Sequence, residues 1–323
     1  MHSPAARRLP TPRPARRRPG RRAPAIAIAL LALCGCATEA AGPRPDALAV
    51  IRADDGRVFV PVMLNGRGPY AFLLDSGAGA TVLDDDLIEE AGLAPIGEAV
   101  TIVGLSSSAE LTTYVPAQIE FGGRDIELAR ILVHDLGPRG AQGVLGLDVL
   151  SRFAVEIDGP NEIVRLWSDG YVEPNPRRIR ARLEMRANAY DFPFVAHQLN
   201  DQDGVAFIDT GYRGFIVDPE LAAQADLETG SFRAVLTDFA YGTTTFSELG
   251  SGDLALGDFI YEDARMALLR PAVFDVFAEY GVTTMLGARL FAEMTLVLDF
   301  PGQRVLLVDS SRALRRGVGP YTR

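Results

Sequence analysis

The chain has no lysine, two cysteines, three histidines and one tryptophan, and each shortage excludes something. Cys34 and Cys36 are the only thiols. Everything beyond residue 36 must therefore hold together by packing, without a disulfide. His2, His134 and His197 stand far apart in the sequence, with no H-E-x-x-H pair and no cysteine beside them. No metal site and no cofactor is expected from such a set, and His134 and His197 read instead as surface or hydrogen-bonded strand residues. The missing lysine reads as the codon usage of a GC-rich bacterial genome and carries no functional message. Eight arginines fall in the first 22 residues, where there is no acid; from residue 23 onward 24 arginines face 42 acids, a formal charge of −18. That balance argues against a nucleic-acid partner, and basic or neutral polypeptides suit such a surface better than acidic ones. Ser106 to Ser108 lack a nucleophile-elbow context, and Gly137-Pro138-Arg139-Gly140 lacks the lysine and helix of a phosphate loop.

A membrane-spanning run is also missing from the N-terminus. Residues 1–22 are arginine-rich, and the apolar stretch Ala23 to Leu33 is short for a bilayer. Leu33-Cys34-Gly35-Cys36 follows, in the manner of a bacterial lipobox. Residues 1–35 are expected to be an export signal, Cys36 the acylated residue, and 36–47 a tether. An ordinary signal peptide cut near Ala37 is the other reading. The lipobox reading places the protein in the cell envelope, facing the periplasm, touching membrane through its lipid alone. Ala37 and Thr38 offer no acid to retain it at the inner membrane, so the outer membrane is the default.

What the chain does have is a repeat. Phe72-Leu73-Leu74 leads into Asp75-Ser76-Gly77, and Ala206-Phe207-Ile208 leads into Asp209-Thr210-Gly211. Thr81-Val82-Leu83-Asp84, Leu87, Ala91 and Leu93 then match Phe215-Ile216-Val217-Asp218, Leu221, Ala225 and Leu227 at the same offset of 134. Val144-Leu145-Gly146 matches Met285-Leu286-Gly287 at an offset of 141, so the second copy carries about seven extra loop residues. Each copy reads as mostly β. Asn65-Gly66-Arg67-Gly68 marks a hairpin between Val58 to Leu64 and Tyr70 to Leu74. Asp84 and Asp218 cap short helices, which accounts for the run Asp84-Asp85-Asp86 without a metal. Strands are expected near 100–103, 111–115, 119–121 and 131–133, and again near 232–236, 243–246, 254–256 and 266–269. Residues 169–178 read as a linker; 310–323 read as a solvated tail.

Strand, Asp-[Ser/Thr]-Gly, short helix, hairpin and an apolar-apolar-Gly turn, met twice in order, resembles the retropepsin-like aspartic proteases. The resemblance implies an all-β fold of two homologous retropepsin-like β-barrel lobes with short helices, 48–168 and 179–309, in a pepsin-like bilobal arrangement. It implies a monomer in which Asp75 and Asp209 meet, share one proton and activate a water against a peptide bond. Ser76 and Thr210 would bond the opposite loop, and Gly77 and Gly211 would supply positive φ and close approach. Gly104-Leu105 and Tyr241-Gly242 are candidates to cover a bound polypeptide. One departure stands out: Tyr212-Arg213 follows the second triplet where the family usually has a small residue. Hence two readings, an aspartic endopeptidase acting on envelope or exported polypeptides, or a non-catalytic peptide-binding module whose cleft Tyr212 and Arg213 fill.

Overall fold

The structure, a computed structural model, describes residues 46–310 except 53–55, 106–107, 116, 138–140 and 238–243. Cys36, Tyr241, Gly242 and the tail beyond Ser310 lie outside the described residues. Strands dominate, with a few helices of six residues or fewer between them.

Three sheets organise the chain. A ten-stranded sheet is built from residues 51–145 and a seven-stranded one from residues 194–286. The third, six-stranded, takes strands from both halves. At its centre Ala154–Asp158 runs antiparallel to Thr295–Asp299, with Glu156 opposite Val297. Every residue of these two strands is buried, because both faces are covered. Val155, Ile157, Leu296 and Leu298 face the main core, whereas Ala154 and Val297 join a small cluster with Tyr171, as alternation along a strand requires. Residues 169–178, which read as a plain linker, thus do structural duty. Tyr171 is buried, meets Trp167 edge to face at 5.1 Å and donates its N–H to Asp299.

The local sequence accounts for the elements that carry the site. Val58–Leu64 and Arg67–Leu74 form the expected hairpin, and the turn residues Asn65 and Gly66 both take positive φ (50° and 72°), the conformation that Asn-Gly adopts with least strain. Along Arg67–Leu74, Phe72 and Leu74 enter the main core while Leu73 enters a second cluster with Val82, Leu111, Leu132 and Val144. This two-sided burial is why the strand ends as an unbroken apolar run. Asp84 accepts the N–H of Asp86 and Asp218 that of Glu220, so both caps form as expected. The strands flanking each site are longer than the apolar runs suggest. Ala94–Val103 pairs with Ser108–Val115, and Thr244–Leu256 with Phe259–Leu268.

His197 corrects an expectation. Its place in the strand Phe194–Leu199 was expected to be on the surface or hydrogen-bonded, yet it is 4% exposed and neither ring nitrogen makes a hydrogen bond of normal geometry. Gly204 lies opposite it and packs on the ring. Burial lowers the imidazole pKa from 6.5 to about 4. The unfolded chain therefore takes up a proton below pH 6.5 that the folded one refuses until about pH 4. Across that window stability falls as pH falls, by about 3 kcal/mol in all. His197→Leu is expected to remove this loss: denaturation curves of variant and wild type should draw apart as pH drops from 6.5 to 4. Parallel curves would refute it.

Candidate active site

Both aspartates sit at the ends of strands held by the same device. Gly143–Leu145 lies parallel to Arg67–Leu74 and antiparallel to Val82–Asp84, filling the gap between the strand entering the Asp75 loop and the strand leaving it. Val282–Leu286 does the same between Gln202–Ile208 and Phe215–Val217. The N–H of Asp75 is tied to the carbonyl of Leu145 (3.1 Å) and that of Asp209 to Leu286 (2.9 Å). Gly146 and Gly287 then turn the chain directly beneath the loops. Leu147 donates to the carbonyl of Ala78 (2.8 Å), and Ala288 to that of Tyr212 (2.6 Å). A Cβ on Gly146 would strike the backbone of Ala80, and one on Gly287 that of Tyr212.

The two loops clasp each other through four reciprocal bonds. Ser76 donates its N–H to Oγ1 of Thr210 (2.9 Å) and its hydroxyl to the carbonyl of Ile208 (2.7 Å). Thr210 donates its N–H to Oγ of Ser76 (3.1 Å) and its hydroxyl to the carbonyl of Leu74 (2.8 Å). Both side chains are fully buried, so each hydroxyl donates once and accepts once with no water to compete.

This clasp brings Asp75 and Asp209 together. Their carboxyls hydrogen-bond each other, and each also accepts from its own loop, Asp75 from Gly77 (2.7 Å) and Asp209 from Gly211 (2.9 Å) and Tyr212 (3.0 Å). Gly77 and Gly211 do not take positive φ, contrary to expectation. They are needed for close approach alone: a Cβ at Gly77 would stand 2.5 Å from Cγ of Asp209, and one at Gly211 would overlap Cγ of Asp75. Burial raises Asp75, opposed by the Gly77 N–H and the bond from Asp209. Asp209 is held well above the ordinary carboxylate range, first by burial and then by the charge of Asp75 and the bond to it. Two like charges in contact do not ionise together, so loss of the first proton from the pair makes loss of the second harder.

The pair opens into a cleft of about 990 Å³. Val82, Val100, Ile102 and Leu132 line one side, and Tyr190, Phe192, Val273 and Phe277 another. Gly104 and Leu105 stand at the end of the hairpin Ala94–Val103/Ser108–Val115 and line the same cleft; the carbonyl of Leu105 accepts the N–H of Ala272 from the other half (3.2 Å). Tyr212 lines the cleft without filling it, its ring half-buried against the core and Gly214. Burial pushes its phenol up, so it stays protonated.

Thr81 and Asp148 escaped the sequence reading. Thr81 gives Asp148 its N–H (3.0 Å) and its hydroxyl (2.7 Å), and its Oγ1 accepts from Gly146 (3.3 Å), bracing the loop against the Gly turn. An acid two residues after the Gly turn, beside an otherwise apolar run, was the available signal. The matching positions in the second half are Phe215 and Arg289, whose guanidinium stands 6.0 Å over the Phe215 ring and bonds Tyr261. The acids Asp84, Asp85 and Asp135 come within 4.8 Å of one another, but the oxygens of Asp84 already accept from Asp86 and Leu136.

Residues 60–149 match a family model described as aspartyl protease. Among solved structures, the aspartic proteinase from Irpex lacteus shares the fold with a TM-score of 0.57 at 13% identity. The alignment covers 83% of this chain and 98% of that one. No curated protein sequence matches the chain.

Proposed function

From a chain that has the all-β fold of the aspartic protease superfamily, and whose first half matches the aspartyl protease family, we propose an aspartic endopeptidase with Asp75 and Asp209 as its dyad. The observation that carries the proposal is the pair itself: two half-buried carboxyls in mutual hydrogen bond, both lining one cleft. One carboxyl of the pair keeps a proton and the other is ionised. The ionised member draws a proton from a water held between the two. That water attacks the scissile carbonyl while the protonated member polarises its oxygen, and the proton taken from the water then passes to the leaving amine. One chain supplies both acids, so no second copy is required.

The substrate is an extended polypeptide of the cell envelope or one being exported. Support for that location comes from the arginine-rich start, the short apolar run and Cys36. Metabolic labelling with an alkyne fatty acid checks the anchor: label on the wild type that vanishes in Cys36→Ser supports it, and label that stays refutes it.

Cleavage of a diverse peptide mixture between pH 3 and 8 tests the activity. Because burial raises both carboxyls, the singly protonated pair forms at higher pH than an ordinary carboxylate would allow. No hydroxyl stands at Ala78 to favour the ionised form. The kcat/KM profile is expected to be a bell that reaches toward neutral pH, its acid limb set by the first ionisation of the pair and its alkaline limb by loss of the shared proton. A profile confined below about pH 4, the range of unperturbed carboxylates, would contradict this assignment. A folded chain that cuts nothing would favour the peptide-binding module.

A further inference from the structure

The two dyad loops are fastened to their Gly turns by different means. In the second half the fastening is all backbone. Gly287 donates its N–H to the carbonyl of Gly214 (2.8 Å), Ala288 to that of Tyr212 (2.6 Å) and Arg289 to that of Arg213 (3.0 Å). The residue that leaves this loop, Phe215, is buried, its ring edge to face with Tyr261 at 5.5 Å. In the first half, among the described residues, only the middle bond has its like, from Leu147 to the carbonyl of Ala78 (2.8 Å). Side chains take the place of the other two. Gly146 donates its N–H to Oγ1 of Thr81 (3.3 Å), and Thr81 gives Asp148 both its N–H (3.0 Å) and its hydroxyl (2.7 Å). The hydroxyl is thus one link in a directed chain, accepting from Gly146 and donating to Asp148. Thr81 is fully buried, so no water substitutes for either bond. Asp148 is half-buried; burial raises its carboxyl, opposed by the two bonds from Thr81 and one from the N–H of Val149.

The path from this chain to the dyad is short. The loop from Asp75 to Thr81 is held at its entry by Leu145, at its middle by Leu147 and at its exit by Gly146 and Asp148. Slack at the exit passes to Gly77, which has no room to absorb it: a Cβ there would stand 2.5 Å from Cγ of Asp209. A shift of the loop therefore changes how the two carboxyls meet.

Resting on the peptidase reading, we propose that Thr81 and Asp148 are positioning residues, whose hydroxyl-to-carboxylate link holds the Asp75 loop where its carboxyl meets Asp209. In the second half, backbone bonds and a packed ring do the same task. Thr81 does not line the cleft, so its effect reaches a substrate only through the dyad.

Thr81→Val keeps the shape and removes the hydroxyl. It should lower kcat at least about tenfold, the order of a displacement short of 1 Å, and leave KM within about twofold. Thr81→Ser should restore most of the rate. A looser pair also weakens the charge that Asp75 exerts on Asp209, so in Thr81→Val the alkaline limb of kcat/KM should move to lower pH. The position of that limb is independent of the folded fraction. Asp148→Asn, which leaves one oxygen for two donors, should act in the same direction and add little to Thr81→Val; should the valine variant not fold, it carries the same test. Arg289→Gln, at the matching position of the second half, should keep kcat within about twofold. An unmoved rate and limb in Thr81→Val, or a loss as large in Arg289→Gln, would overturn the inference. A wild type that cuts nothing in the peptide mixture sinks the peptidase reading separately. Titration of carbon-13 aspartate by NMR then decides: the inference requires the raised aspartate to lose its proton at lower pH in Thr81→Val than in the wild type, and identical titrations overturn it.

Discussion

Asp75→Asn and Asp209→Asn are each expected to lower kcat at least about a thousandfold, and the double variant to be no worse than either single one. The non-additivity follows from the geometry. The two carboxyls are bonded to each other and hold one proton jointly, so either amide destroys the whole unit. Stability should move the other way. Folding raises both carboxyls above their ordinary range, so between the unfolded and folded values the native state holds more protons than the unfolded one. The pair's contribution to stability is then present at low pH and lost as pH rises. An amide escapes that loss. Each Asn variant should therefore melt above the wild type at pH 7, with the difference shrinking toward pH 4. Additive kinetic losses, or variants that melt lower at pH 7, would mean that the carboxyls do not act as a pair.

Alanine at the two kinds of glycine should separate activity from stability. In Gly211→Ala the new methyl overlaps the carboxyl of Asp75, a short side chain that can swing away into the cleft. Activity should fall by about a hundredfold or more, since a misplacement of about 1 Å suffices for that, while the fold survives. In Gly287→Ala the methyl meets the backbone carbonyl of Tyr212 instead, within the turn that receives bonds from Ala288 and Arg289. Backbone cannot swing aside, so the expected result is a loss of several kcal/mol of stability, of the order seen for strained core substitutions. Kinetics and denaturant melts on both variants check the contrast. Equal destabilisation of the two would show that Gly211 is a fold glycine as well.

The dyad was legible because it is written twice. Asp75 and Asp209 stand in the same company at one offset, and Ser76 and Thr210 fall into place once the two loops face each other. The Gly turns at 146 and 287 were legible for the same reason. Contacts made once only, between residues distant in sequence, were not. Thr81 and Asp148 are 67 residues apart, and neither repeats in the second half. Sequence also does not tell a glycine required for close approach from one required for positive φ, since both forbid a side chain. Gly77 and Gly211 belong to the first kind. The buried Tyr171 lay hidden among prolines and polar residues that read as a linker. His197 did carry a signal, standing between Val195 and Leu199 in an alternating strand, but the chemistry of imidazole argued for water.

One proton shared by two carboxyls underlies both the chemistry and the pH dependence, and a titration counts it most directly. The wild type and Asp75→Asn, labelled with carbon-13 at aspartate Cγ, would be followed by NMR from pH 3 to 8. One aspartate in the wild type is expected to keep its proton well beyond the ordinary carboxylate range. In Asp75→Asn the same residue should titrate lower, freed from its neighbour's charge though still raised by burial. Two aspartates ionising independently near pH 4, indifferent to the substitution, would contradict it.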